Sequence, residues 1–314
     1  MAAQERAAAA LDEFDVAIVQ HEFGIYGGAD GDEILGVLDR LTVPAIVVLH
    51  TVLRTPTRHQ REVLERVVEL AGAVITMTMT ARTRLLESHD VGAAKVVVIP
   101  HGAADASTVG GRQPRRGHPT ILTWGLLGPG KGIESVIDVL PDLRRLNPRL
   151  RYRVVGQTHP RVLARDGEAY RRTLIARAAA RGVTDMVAFE ARYLDVAGLQ
   201  RVIAQADVVV LPYESREQVT SGVLIEAVAA GKPVVATAFP HAVELLAQGA
   251  GLVVPHENRQ ALAHALGRVL GEPGLAASMA DRSGGVSPEL RWSSVAARYH
   301  ELADSLVASS VSVA

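Results

Sequence analysis

Ten short runs of aliphatic and β-branched residues alternate with longer segments of helical periodicity along this 314-residue chain. The runs read DVAIVQ, AIVVLH, AVITM, VVVIP, TILTWG, RYRVVG, MVAFE, DVVVLP, PVVAT and GLVVP. Strands that are apolar on both sides must be covered on both faces, as they are in parallel sheets connected by helices. The pattern therefore predicts an α/β fold, with helices expected at 58–71, 133–146 and 169–181 among others.

A stretch rich in glycine, proline, arginine and serine, ADASTVGGRQPRRGHP, separates the first four runs from the last six. We interpret residues 105–119 as a linker. The chain is then expected to contain an N-terminal domain at 1–104 and a complete doubly wound domain at 120–285. An amphipathic helical segment at 286–314, with Trp292 near its start, is expected to follow.

Composition excludes several classes of function. The net charge is −1, which gives no electrostatic basis for binding nucleic acid. The chain has no cysteine, and this rules out disulfides, thiol catalysis and cysteine-bound zinc. Its apolar runs are far shorter than the roughly 20 residues of a membrane helix, and its acidic start is unlike a signal peptide. We predict a cytoplasmic protein with no transmembrane segment, for which peripheral membrane contact stays open.

Polar residues collect just after the predicted strands, where doubly wound domains bind their ligands. In the first domain these positions include QHEFGIYGG at 20–28 and His50. In the second domain they are GLLGPGKG at 125–132, Gly156-Gln157, Glu190–Tyr193 and the segment 213–222. The sequence therefore predicts ligand sites at these strand ends.

The segment GLLGPGKG matches the first seven positions of a nucleotide-binding P-loop, G-x-x-x-x-G-K. The eighth position of that motif is serine or threonine, whose hydroxyl binds magnesium, and here it is Gly132. A P-loop nucleotidase is thus one interpretation. A second is a more general phosphate site, in which glycines allow close approach and Lys131 adds a cation at a helix start. The third is a tight strand-to-helix turn with a surface lysine.

A second candidate phosphate site lies in QVTSGVLIEAVAAGK, from 218 to 232. A helix that starts at Ser221-Gly222 directs free N–H groups out of its first turn, and the small residues leave room for a phosphate. Glu226 follows one turn later, where its carboxylate could bind the two neighbouring hydroxyls of a ribose. The alternative is that Glu226 is only a favourable charge near a helix N-terminus. Together the two segments favour a nucleoside diphosphate.

Several segments resemble one known family. GVLIEAVAAGKPVVAT is similar to a donor-site signature, and GLLGPGKG followed by a helix and RYRVVG is similar to a phosphate segment. LHT at His50 and VIPHGA resemble segments of an acceptor domain, and Trp292 begins what resembles a C-terminal helix that crosses back to that domain. These features resemble the retaining nucleotide-sugar glycosyltransferases of family four, which have the GT-B fold.

The resemblance implies two Rossmann-like domains that face each other across a cleft. The second domain would hold a nucleotide diphosphate sugar, of the GDP-mannose or UDP-glucose type, as the co-substrate. The sugar would pass to a glycan, lipid or small-molecule acceptor with retention of configuration. No tightly bound cofactor and no essential magnesium are implied.

The resemblance also assigns roles to individual residues. Lys131 would neutralise the leaving diphosphate, and His50 and Gln218 would lie beside the transferred sugar as further catalytic residues. The predicted donor-binding residues are Gly125, Lys131, Gly156, Gln157, Tyr193, Gln218, Ser221, Gly222, Val223 and Glu226. The predicted acceptor-side residues are His21, Glu22, Gly27, Gly28 and His50, and no metal ligand is assigned.

The sequence departs from the family pattern in three places. Gln218 stands where the family has a glutamate, with Glu217 and Glu214 close by. Leu126 stands where the family has an arginine that accompanies the lysine. The usual opening strand and glycine-rich loop have no counterpart, because the chain starts with what resembles a later helix and strand, and we expect an incomplete first domain. Two other functions therefore stay open, a non-catalytic nucleotide-sugar-binding protein and a nucleotide-sugar epimerase.

Overall fold

The computed structural model describes residues 2–105 and 118–311. The chain forms two compact units. The first unit contains the chain up to His101, Glu217–Thr220 and the C-terminal segment from Ser293, and the second contains Gly102–Arg216 and Ser221–Trp292. Most of the predicted linker at 105–119 lies outside the described residues.

A four-stranded parallel sheet forms the centre of the first unit. Its strands β1 (Ala17–His21), β2 (Ala45–Leu49), β3 (Ala73–Thr76) and β4 (Val96–Val98) lie in the order β1-β2-β3-β4. The helices near them in sequence are α1 (Ala2–Leu11), α2 (Leu35–Leu38), α3 (Arg58–Leu70) and α4 (Met79–Ser88), with short 3-10 helices at Ala29–Ile34 and Ala93–Lys95. All neighbouring strands pair in parallel, as the apolar runs predicted.

A six-stranded parallel sheet forms the centre of the second unit, and its order is β10-β9-β8-β5-β6-β7. The strands are β5 (Thr120–Trp124), β6 (Arg151–Val155), β7 (Val187–Glu190), β8 (Val208–Leu211), β9 (Val234–Thr237) and β10 (Gly251–Val254). The helices are α5 (Ile133–Leu146), α6 (Pro160–Asp166), α7 (Ala169–Ala180), α8 (Val196–Gln205), α9 (Gly222–Ala229), α10 (Pro240–Leu245), α11 (Arg259–Gly271) and α12 (Leu275–Val286). A 3-10 helix at Ser287–Leu290 and the helix α13 (Trp292–Val311) complete the chain.

The strand order of the second unit reverses between β5 and β8. From β5 the chain moves outward to β6 and β7, and it then returns to place β8 on the other side of β5. The carboxyl ends of two such strands diverge into different loops and leave a crevice, which is where doubly wound folds bind ligands. Both predicted phosphate segments follow these two strands, GLLGPGKG after β5 and the segment 218–232 after β8.

Each face of the second sheet is buried under helices. Ile121, Val208 and Val210 point to a core that includes residues of α5, α7 and α11. Leu122, Val209 and other alternate residues point to a second core that includes residues of α8 and α9. All ten apolar runs are therefore strands, which confirms the α/β prediction.

Two segments from the later part of the chain belong to the first unit. Tyr299, Leu302 and Leu306 of α13 pack on one face of the sheet. Val219 is buried in the core on the other face, and its carbonyl accepts a hydrogen bond from Thr78 Oγ1 at 3.1 Å. The expected boundaries placed Val219 in the second domain. Its burial and its backbone contact explain why Glu217–Thr220 belongs to the first unit instead.

One buried carboxylate connects three helices of the second unit. The side chain of Asp138 on α5 is 1% exposed and pairs with Arg177 at 2.6 Å, with Arg181 at 2.8 Å and with Arg259 at 2.8 Å. Burial acts to raise the pKa of this carboxyl, but the arginine hydrogen bonds outweigh burial and lower it. Asp138 therefore stays ionised and holds α7 and α11 against α5.

Within 2–105 and 118–311, no helix combines the length and the apolar character needed to cross a bilayer.

Candidate functional site

The loop after β5 depends on glycines for its path. Gly125 has φ +119°, and Gly132, which precedes α5, has φ +66°. A Cβ at Gly132 would lie 1.8 Å from the Pro212 carbonyl oxygen, so any side chain there would require the backbone to move. A serine or threonine cannot occupy this position as the loop stands. The structure therefore argues against the P-loop interpretation, which needs a hydroxyl there.

Lys131 is half-buried at the start of α5 and has no carboxylate partner within ion-pair distance in the part of the chain that the structure describes. Its Nζ lies 4.4 Å from the ring centroid of Tyr213, a cation–π contact. Burial lowers the pKa of the Lys131 ammonium, because partial desolvation disfavours its charge. A bound anion would stabilise the charged ammonium and offset this desolvation penalty.

The start of α9 presents unpaired donors close to the loop after β5. Ser221 is the N-cap, and its hydroxyl accepts from the Leu224 N–H at 3.2 Å. The N–H groups of Gly222 and Val223 have no hydrogen-bond partner among the described residues. A Cβ at Gly125 would come 3.6 Å from the Val223 side chain, so the two phosphate segments meet. Free N–H groups and a helix dipole form an anion site here.

Glu226 lies in the second turn of α9 and is half-buried. Burial raises the pKa of its carboxyl, while a hydrogen bond from the Trp124 side chain lowers it in part. Trp124 ends β5 and is itself buried. The carboxylate retains acceptor capacity for a ligand with neighbouring hydroxyls.

Three residues that the sequence analysis did not select complete this cluster. The Trp124 side chain lies close enough to Glu226 to lower the pKa of its carboxyl, and the ring of Tyr213 contacts the Lys131 ammonium. His241 accepts the Ser221 N–H at its Nδ1, at 2.8 Å. Trp124 directly precedes GLLGPGKG, and Tyr213 begins the segment 213–222 that was predicted as a whole, so position after a strand was the available signal. No sequence signal pointed to His241.

The ends of β6 and β7 carry the remaining predicted donor residues. Gly156 has φ +146°, and a Cβ there would lie 1.8 Å from the Gly125 carbonyl oxygen. Gln157 is exposed, and its carbonyl accepts from the Leu127 N–H at 2.8 Å. Tyr193 is 80% exposed. Gly156 therefore has a structural role in bringing the β5 and β6 ends together. The side chains of Gln157 and Tyr193 are accessible and have no hydrogen bond to another described residue.

Gln218, predicted to be catalytic, lies in the segment that belongs to the first unit. Its side-chain amide donates to the Thr220 carbonyl at 3.1 Å. The neighbouring Glu217 pairs with Arg84 at 2.9 Å. Glu214 is exposed, and its backbone N–H donates to the Gly130 carbonyl. In the first unit, the carboxylate next to Gln218 is thus held by an arginine.

Two of the predicted acceptor-side residues, His50 and Glu22, form hydrogen bonds with other side chains at the ends of β1 and β2. His50 Nε2 lies 2.7 Å from Gln20 Oε1, and Glu22 accepts from the Thr51 hydroxyl at 2.5 Å. Burial lowers the pKa of His50, and the nearby Glu22 partly offsets that effect. His21 is fully buried, and neither ring nitrogen has a partner among the described residues. Burial lowers the pKa of His21 to about 4, so its ring is neutral and does not reach the surface.

The Gly27-Gly28 loop is acidic. A Cβ at Gly27 would lie 2.3 Å from Glu33 Oε2, and one at Gly28 would lie 1.9 Å from Asp32 Oδ1. Asp30, with φ +52°, pairs with His59 at 3.0 Å. These glycines make room for the carboxylates of their own loop. A loop lined with carboxylates suits a polyhydroxyl or cationic ligand better than a phosphate. Over the described ranges, no three histidine, aspartate or glutamate side chains are grouped to hold a metal ion.

Comparisons with known proteins agree with this geometry. The family model of glycosyl transferases group 1 matches residues 112–283. The alpha-D-kanosaminyltransferase of Streptomyces kanamyceticus is 27% identical over 77% of this chain and 65% of its own. A GDP-mannose-dependent phosphatidylinositol monomannoside mannosyltransferase of Mycolicibacterium smegmatis is 32% identical over 51% of this chain and 41% of its own. The chain thus spans less than two thirds of the length of the curated relatives it matches.

Solved structures show the fold. HepE of Anabaena in complex with UDP has a TM-score of 0.75 at 20% identity, covering 96% of this chain and 82% of its own. The sucrose-phosphate synthase of Thermosynechococcus elongatus has a TM-score of 0.76 at 21% identity, covering 97% and 76%. These likenesses confirm the predicted GT-B class of α/β fold with parallel sheets. Because the family model covers more than half of the sequence, the chain belongs to the group 1 glycosyl transferases.

Proposed function

We propose that this chain is a glycosyltransferase that binds a nucleotide diphosphate sugar in its second unit. One observation carries the proposal. A half-buried lysine without a carboxylate partner and the unpaired N–H groups of α9 lie around one crevice at the switch point between β5 and β8, as far as the described residues show. Such a concentration of positive potential in a partly desolvated crevice favours a doubly charged diphosphate.

The same geometry supports a role in the chemical step. When the bond from the anomeric carbon to the diphosphate oxygen breaks, its electron pair goes to the diphosphate. Lys131 and the N–H groups of Gly222 and Val223 stabilise that developing charge, which is often the largest catalytic contribution. The acceptor oxygen forms the new bond to the anomeric carbon, and its proton passes to the departing phosphate.

Retention of configuration is the outcome we propose. Gln218 stands where the family pattern has a glutamate, and its amide is not a nucleophile that could form a covalent glycosyl intermediate. Glu217 is held by Arg84 at 2.9 Å. A front-side displacement assisted by the leaving phosphate needs no such nucleophile, and His50 would position the sugar or the acceptor. The names of the relatives support a hexosyl donor of the GDP-mannose or UDP-glucose type.

The arrangement we propose has the donor domain at 120–285, the acceptor domain at 1–104 and the helix at 286–314 returning to the first domain. Contacts of His50, Glu22 and the Gly27-Gly28 loop with a glycan, lipid or small-molecule acceptor belong to this proposal. So do the direct donor contacts of Gln157 and Tyr193, a cytoplasmic location and a reaction that needs no magnesium.

The first test is a calorimetric titration of the full chain with UDP and with GDP, each with and without magnesium. We expect saturable binding of one nucleotide without magnesium. Lys131→Met should weaken it about a hundredfold, since a charge-assisted contact is lost, and Glu226→Ala about tenfold. Arg172→Ala, which removes an exposed charge from the same unit, is the control and should leave affinity unchanged.

The outcomes separate the alternatives. Absence of binding to a folded chain would contradict the proposal. Binding without turnover of any nucleotide sugar would favour a non-catalytic binding protein, which Gln218 and Leu126 make the second candidate. If transfer occurs, NMR of the anomeric proton in the product shows whether configuration is retained.

A further inference from the structure

A buried histidine accepts a hydrogen bond from the N-cap residue of α9. The N–H of Ser221 donates to His241 Nδ1 at 2.8 Å, and both residues are buried. An N-cap residue is extended, with φ −144° and ψ +105° in Ser221, so its own N–H is not part of the helix. A buried N–H requires a partner, and His241 supplies it across 20 positions of sequence.

Ser221 fixes the start of α9 through both its side chain and its backbone. Its hydroxyl accepts from the Leu224 N–H at 3.2 Å. Its carbonyl accepts from the Ile225 N–H, the first backbone bond of α9. The two free N–H groups follow immediately at Gly222 and Val223. The orientation of Ser221 thus sets the direction of the free donors.

His241 is itself firmly placed. It lies in the first turn of α10, directly after Phe239 and Pro240. Phe239 is fully buried and packs against Tyr213, with ring centroids 5.2 Å apart. Because Nδ1 accepts the Ser221 N–H, the proton of the neutral ring is on Nε2. The imidazole therefore acts as a fixed acceptor on a rigid support.

We propose that His241 is a positioning residue for diphosphate binding, acting through the N–H of Ser221. This inference rests on the proposed function and adds to it a residue that need not touch the donor. Without the acceptor, the buried Ser221 N–H would turn toward another partner. That rotation would tilt the free N–H groups of Gly222 and Val223 and disturb the cap bond from the Leu224 N–H to the Ser221 hydroxyl.

The test compares three substitutions of one residue in the full chain. His241→Asn places a side-chain oxygen where Nδ1 was, since both atoms are one bond from Cγ. His241→Gln carries a similar amide one carbon further out, and His241→Ala has no acceptor. Affinity for UDP and GDP is measured by calorimetry, and protection of the Ser221 amide is measured by hydrogen exchange. His89→Ala, which removes a buried histidine bonded to Ser88 in the first unit, is the control.

We expect His241→Ala and His241→Gln to bind the nucleotide about tenfold more weakly and to lose protection at Ser221. His241→Asn should stay within about threefold of the unchanged protein, and His89→Ala should match it in affinity. If His241→Ala does not fold, the Asn and Gln variants still decide between the two possibilities.

Equal affinities of the Asn and Gln variants, whether high or low, would overturn the proposal, because the position of the acceptor would then not matter. Failure of the unchanged protein to bind either nucleotide would be a different result. It would remove the proposed function, and this inference with it, before any variant is compared.

Discussion

The polar groups at the ends of β5 and β8 differ from those at the ends of β1 and β2. In the second unit, Lys131 has no carboxylate partner among the described residues. The N–H groups of Gly222 and Val223 have no hydrogen-bond acceptor among them either. In the first unit, His50 pairs with Gln20, Glu22 with Thr51, and Asp30 with His59. A diphosphate would bind donors that are still unpaired, whereas an acceptor must first displace bonds that already exist. We therefore expect tight nucleotide binding and weaker acceptor binding.

The largest effect is expected from Gly132→Ala, which tests how rigid the second-unit site is. The new Cβ would overlap the Pro212 carbonyl at 1.8 Å, and the backbone has φ +66°. We expect a loss of about 4 kcal/mol in the free energy of unfolding, from positive φ and overpacking together. Chemical denaturation measures it.

Gly182→Ala is the matched control for that change. Gly182 also has φ +66°, but no atom lies within 4 Å of the position that a Cβ would take there. Its substitution should cost only about 1 kcal/mol, the contribution of the backbone alone. Equal losses of stability at the two glycines would show that the loop after β5 can move away from a new Cβ. The site in the second unit would then not be rigid.

A smaller effect concerns the buried His21 of the first unit. Its folded pKa of about 4 is below the unfolded value of 6.5, so the unfolded state binds the proton more tightly. The stability from neutral His21 is complete above pH 6.5 and is lost as pH falls toward 4, a change of about 3 kcal/mol. His21→Phe should flatten this part of the stability–pH curve, as measured by urea unfolding between pH 7 and pH 4.

An unchanged slope in His21→Phe would mean that water or a partner reaches the ring. His21 would then be available to an acceptor, as the sequence analysis expected. His89→Phe provides the comparison for a histidine that is also buried but bonded to a serine.

The smallest effect is expected at the Asp30–His59 contact in the acidic loop. The hydrogen bond from His59 to Asp30 raises the pKa of His59, so this contribution is present below the unfolded value of 6.5 and is lost as pH rises through the folded pKa. Hydrogen exchange at residues 29–34, corrected for its intrinsic pH dependence, should therefore quicken between pH 6 and pH 8. His59→Gln should remove that dependence. A loop whose protection does not change with pH would show that its glycines and carboxylates, not His59, hold it.

The elements of the fold were predictable because they depend on neighbours in sequence. The ten apolar runs are the ten strands, and the helix predicted at 133–146 is α5 as observed. The position of GLLGPGKG and of the 213–222 segment at strand ends was predictable too, whereas the reversal of strand order between β5 and β8 is known only from the structure. Glu226 was selected from its place one turn after a helix start and from the resemblance of its segment to a donor-site signature.

What the sequence did not reveal depends on contacts between distant positions. Ser221 and His241 are 20 residues apart, and no local pattern links them. Val219 was expected within the second domain, but its side chain is buried in the core of the first unit. His21 was expected on the acceptor side because it ends a strand, yet tertiary packing encloses its ring. Burial of this kind is decided by the whole fold and not by the strand that carries the residue.

Gly132 also limits how this site can evolve. A serine or threonine there would supply the magnesium ligand that a P-loop uses, but its Cβ would meet the Pro212 carbonyl. Such a mutation would be tolerated only if the backbone after β8 moved as well. Conversion of this loop into a P-loop therefore requires more than the exchange of residue 132, although the two motifs differ in only that one position.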